Sequence, residues 1–163
     1  MKTHREAKSA GLAPRGTSLG FAQRTVRNLH HIEAARGNNQ DVHVVTQTIL
    51  SLVGLVVFPW AEGFDTNVKN LKYQILADQG WPPWSISLGS ADTLGQLTWH
   101  IRNAVAHRRI AFSSDSLDSG DVKIQFEDAP SEKAAPNWRA TIRADALRTF
   151  CLKFAQLVDD TMG

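Results

Sequence analysis

The sequence predicts a mainly α fold, a small helical bundle with a β-hairpin inserted before its C-terminal helix. Three observations carry that reading. Apolar residues recur at three- and four-residue steps along several segments. Between residues 121 and 143 the period changes to two. There Val122, Ile124 and Phe126 alternate with Lys123, Gln125 and Glu127, and Trp138, Ala140 and Ile142 alternate with Arg139, Thr141 and Arg143. Helical spacing then resumes up to the C-terminus. At 163 residues, 42% hydrophobic and 21% charged, the chain is long and apolar enough to bury one sizeable core.

Taken in order, residues 1–17 mix Gly, Ala, Lys and Arg with Pro14 and are expected to form a flexible N-terminal tail. Residues 18–163 are expected to form a single domain. Ala22, Val26, Leu29 and Ile32 set a first helix to about Arg36, stopped by Gly37-Asn38-Asn39. Asp41 is placed to cap a second, in which Val42, Val45, Ile49, Leu52 and Val56 recur. Both sides of that helix become apolar after Ile49, so it is expected at the centre of the core, ending at Pro59. Residues 61–91 are ambiguous, with room for a short helix before the rigid loop "WPPW" at 81–84, whose tryptophans read as packing residues. Ser90 or Asp92 is placed to cap a helix over 92–108. Ile110–Phe112 has the pattern of a further short strand. A last helix is expected from about Asp145, with Leu147, Phe150, Cys151, Phe154, Leu157 and Val158 on one stripe.

Composition removes several function classes. The single cysteine, Cys151, excludes an intrachain disulfide and a cysteine-rich zinc site, and it fits a reducing, cytoplasmic setting. The basic N-terminus lacks an apolar leader segment, and the most apolar run, "ILSLVGLVVF" at 49–58, is too short to span a bilayer. No His-Glu-x-x-His, P-loop or Gly-rich dinucleotide fingerprint is present, so neither a metal nor a cofactor is expected. The net charge is only +2, but its distribution is uneven. Residues 1–36 hold seven Lys/Arg against two acids, residues 92–114 three against one, and residues 115–163 six against nine. Positive charge gathered in this way can attract phosphates, although from charge alone it reads first as a solvated surface.

The stretch "TWHIRNAVAHRR" at 98–109 carries the chemistry. Wound at about 100° per residue, it places Leu94, Leu97, Ile101, Ala104 and Val105 on one narrow stripe. Asn103 then points away from the stripe, flanked by Arg102 and His107. Arg offers a permanently charged planar fork suited to phosphate, and His exchanges protons near neutrality. RNA cleavage without a metal needs these functions: a base for the ribose 2′-hydroxyl, a cation for the phosphorane charge and an acid for the 5′-oxygen. One histidine cannot readily be both base and acid in one step, whereas two copies of the helix would supply two.

At this point the sequence resembles the HEPN superfamily, whose signature is Arg, four to six residues, then His, often with a polar residue directly after the Arg. Here it reads Arg102-Asn103-Ala104-Val105-Ala106-His107. The layout is similar to a HEPN subgroup found on plasmids and bacterial chromosomes, through "DVHVVTQTILSLVGLVVFPW" at 41–60, the motif helix, and the tail from "VKIQFEDAP" to "NWRATIRADALRTF". The bare spacing is not distinctive: Arg24 precedes His30 and His31, and Arg36 precedes His43, at allowed distances. Those pairs lack a suitable polar neighbour, since Thr25 and Gly37 follow the arginines, and the second pair spans a predicted helix break. The resemblance implies a HEPN-like bundle and a metal-independent endoribonuclease, often the toxin of a toxin–antitoxin pair. It also implies a homodimer whose motif helices face each other across one cleft. Arg102 and His107 would be catalytic and Asn103 would position them. His100, one ridge from His107, could extend the site, and Arg108 and Arg109 could hold RNA phosphates or favour the helix C-terminus. Some members of the superfamily act instead as non-catalytic or antitoxin-like partners, which is the alternative.

Overall fold

The structure, a computed structural model, describes residues 14–61 and 66–162. Helix α1 (Pro14–Gly37) overlaps the expected tail at residues 14–17; the rest of that tail lies outside the described residues. Along α1, Ala22, Thr25, Leu29 and Ala35 are buried at helical spacing. Gln40 returns its N–H to Ala35, and Asn39 takes a left-handed turn with φ of 59°, which ends the helix.

Helix α2 (Val44–Ala61) starts three residues after Asp41, so Asp41 is not its cap, and it runs two residues past Pro59. A proline lacks the N–H that would bond the carbonyl four residues back, and two residues beyond it the helix ends. Nor is α2 enclosed on all sides. Thr48, Leu52, Leu55 and Val56 are buried, but Leu50 is 60% exposed. Its apolar run is therefore broader than the surface it packs. Helices α1, α2 and α6 (Ala144–Met162) pack against one another, with Leu147, Phe150, Cys151, Phe154 and Val158 buried along α6.

The ambiguous segment resolves into two short helices, α3 (Thr66–Lys69) and α4 (Tyr73–Asp78), and a strand β1 (Ser85–Leu88). Trp81 and Trp84 are packing residues: both rings meet Phe150 edge-on, and Trp84 also meets Phe126. Helix α5 (Leu94–Ala106) follows. Neither Ser90 nor Asp92 caps it. Thr93 does, in a reciprocal capping box in which its hydroxyl accepts the Gln96 N–H and the Gln96 side chain accepts the Thr93 N–H.

Where two strands and a possible third were expected, the sheet has four. Its order is β1-β4-β3-β2, all antiparallel, with β2 (Ile110–Phe112), β3 (Lys123–Asp128) and β4 (Trp138–Arg143). One sheet face is dry: Val122, Ile124 and Phe126 on one side, and Trp138, Ala140 and Ile142 on the other, are all 3% exposed or less. Helix α5 lies against β3. Gly95 makes room for α3 beside it, because a Cβ there would stand 2.7 Å from the Lys69 carbonyl oxygen. Among the described residues no helix is long and apolar enough to cross a membrane.

Candidate functional site

The inner stripe of α5 fixes how its polar residues are presented. Leu94, Leu97, Ile101 and Ala104 are each 1% exposed or less, so the helix cannot roll without losing its core contacts. Arg102 lies on the open side, and its guanidinium makes no hydrogen bond or ion pair among the described residues. His107 is the C-cap, exposed and likewise without a side-chain partner there. The helix was expected to run to residue 108, but it ends at Ala106 in a Schellman motif. Arg109 N–H bonds Ala104 O at 2.8 Å and Arg108 N–H bonds Val105 O at 3.1 Å, with Arg108 left-handed at φ 56°.

Asn103 and His100 are not free surface groups. The helical projection turned Asn103 away from the core, but the end of β3 reaches that flank. Asn103 Nδ2 donates to Asp128 Oδ2 at 3.1 Å, and His100 Nδ1 lies 2.8 Å from the same oxygen. The other carboxylate oxygen accepts the Ala129 N–H at 2.9 Å. Asp128 is only 3% exposed, and these three N–H groups offset the cost of burying its carboxylate. With Asp128 as a carboxylate, Oδ2 can only accept, so the bond is made when Nδ1 is the protonated nitrogen of His100. The imidazole also lies flat on the Trp138 indole, with centroids 4.6 Å apart and planes 4° from parallel, and Trp99 meets it edge-on. Asp128 and Trp138 are directly opposed across the β3–β4 ladder, so one cross-strand pair grips the ring by both an edge and a face.

Arg109 is also committed. Its Nη2 donates to the carbonyls of Ser131 and Glu132 at 3.0 and 2.7 Å, stapling the end of α5 to the β3–β4 loop. Arg108 projects from the left-handed position with no side-chain partner among the described residues. The fold therefore joins His100 and Asn103 on Asp128 and leaves Arg102, His107 and Arg108 open. Among the described residues no group of three or more His, Cys, Asp or Glu side chains could hold a metal ion.

The family model described as HEPN pEK499 p136 matches residues 1–163. The chain belongs to this HEPN family. Comparison with curated proteins and with solved structures gives no match. The superfamily is generally of ribonuclease type, so membership supports a nuclease or RNA-related role, or a toxin–antitoxin context, at family level. Within this HEPN chain, sequence reasoning missed Asp128 and Trp138. A signal for both was present. Asp128 continues the inward parity of Val122, Ile124 and Phe126, so the strand pattern itself turns a carboxylate inward, where a carboxylate needs partners.

Proposed function

We propose that this HEPN protein is an endoribonuclease that cleaves RNA without a metal, through attack of the ribose 2′-hydroxyl on the neighbouring phosphate. Arg102 neutralises charge building on the phosphoryl oxygens, His107 transfers a proton, and Asn103 positions the reacting group. The observation that carries the reading is a guanidinium and an imidazole without side-chain partners among the described residues, both exposed towards the end of one helix in a HEPN chain. Arg108 adds a phosphate contact, while Arg109 holds the adjoining loop. The active form is a homodimer with the two α5 faces opposed, which acts in the cytoplasm as the toxin of a toxin–antitoxin pair.

Purified protein is expected to cleave single-stranded RNA in EDTA and to leave 2′,3′-cyclic phosphate ends. Arg102→Ala and His107→Ala should each lower the rate by about 100- to 10,000-fold with an unchanged melting temperature. Full activity in His107→Ala overturns the assignment. Expression in growing cells checks the context: arrest relieved by His107→Ala supports a toxin. Harmless expression with stable capture of a neighbouring gene's product points instead to the non-catalytic partner role.

A further inference from the structure

The carboxylate that holds His100 also decides what that histidine can do. With Nδ1–H committed to Asp128, the lone pair of the neutral ring lies on Nε2. Nε2 has no partner among the described residues and is not sealed from solvent. The same holds for Asn103 Oδ1, whose amide is oriented by its Nδ2–H bond to Asp128. One buried carboxylate thus orients two acceptor-bearing side chains on the flank of α5 that His107 shares, since His100, Asn103 and His107 fall within about 60° of one another around the helix. Such a pair fits a hydroxyl proton, not a phosphate oxygen. The ring's stacking on Trp138 fixes its direction, so little rotational freedom is lost when it engages a ligand.

Resting on the ribonuclease reading above, we infer that His100 is the general base of the reaction and His107 its general acid, with Asp128 as the positioning residue that sets the His100 tautomer. His100 and His107 lie seven residues apart, about 10 Å of helical rise, and about 20° apart around the helix. In the step, His100 Nε2 takes the proton of the ribose 2′-hydroxyl as that oxygen bonds to phosphorus. The bond from phosphorus to the 5′-oxygen breaks with its electron pair on oxygen. Protonated His107 delivers a proton there. The products are a 2′,3′-cyclic phosphate and a 5′-hydroxyl, and exchange with water resets both imidazoles. Asn103, held on the same carboxylate as the base, orients the hydroxyl, and Arg102 of the opposed α5 in the dimer holds the non-bridging oxygens.

A substrate with sulfur in place of the scissile 5′-oxygen separates the two roles, because a thiolate leaves without an acid. On ordinary RNA, His100→Gln and His107→Ala should each lose about 100- to 10,000-fold. On the 5′-thio substrate His107→Ala should regain most of its rate, and His100→Gln should remain slow. Asp128→Asn places an amide beside Nδ1, which moves the ring proton to Nε2 and should slow both substrates alike. Imidazole ¹⁵N shifts of the neutral wild-type ring should report the Nδ1–H tautomer for His100, a readout independent of folding changes in the variants. The inference fails if His100→Gln keeps full activity, if sulfur rescues it, or if the wild-type ring carries its proton on Nε2. A wild-type protein that leaves RNA intact removes the ribonuclease reading itself. An active wild type beside an equally active His100→Gln removes only the assignment of the base.

Discussion

Residue identities at the end of α5 set local cost against local use. Arg108 sits in the left-handed position of the Schellman motif, where glycine is favoured and a side chain with a Cβ is strained by roughly 1 kcal/mol. Arg108→Gly is therefore expected to raise stability by about that amount in denaturant titrations. If Arg108 holds a phosphate, the same change should weaken RNA binding and reduce its salt dependence by about one counterion. A variant both more stable and equally tight would assign Arg108 to the surface alone. The same scale shows where a sequence stops being readable. Arg102, Asn103 and His107 were legible because helical spacing alone places them on one element. What Asn103 and His100 touch was not, because their partner Asp128 lies 25 and 28 residues further on and arrives only through the sheet.

Elements repeat this division between local and long-range signals. The strand pattern at 122–126 and 138–142 is visible as alternate burial, and the stripe of α6 is buried except at Leu157, which is half-buried. Helix ends were less legible, since Thr93 and not Ser90 or Asp92 closes the capping box. β1 was missed because "SISL" is short and alternates weakly, and it is defined by its pairing with β4. The α3–α5 contact gives a prediction at this scale. On helix propensity alone, Gly95→Ala in α5 would stabilise by up to about 1 kcal/mol. The added methyl, however, meets a backbone oxygen of Lys69 that cannot rotate away. The net effect is expected to be destabilising by about 1–3 kcal/mol, measured by chemical denaturation. A neutral or stabilising result would mean that α3 can move off α5 at little cost.

For the whole molecule, the proposed dimer places two α5 faces together, and Trp99, 46% exposed beside Arg102, is the largest apolar group on that face. Trp99→Glu is expected to shift the protein from dimer to monomer in sedimentation velocity, since it sets two carboxylates against each other across the two-fold axis. An unchanged dimer would move the interface elsewhere, for instance to the exposed Leu50 of α2. The gripping of His100 by a cross-strand pair also has a consequence in time. The motif helix is complete by residue 106, but Asp128 and Trp138 follow it in the chain. A ribosome therefore exposes Arg102, Asn103 and His107 well before the groups that orient His100 exist. If His100 is the base, a nascent or prematurely terminated chain carries the motif without the activity. A cell making such a nuclease is then spared its action until translation has passed β4, and fragments that stop short of residue 128 should be harmless however abundant they are.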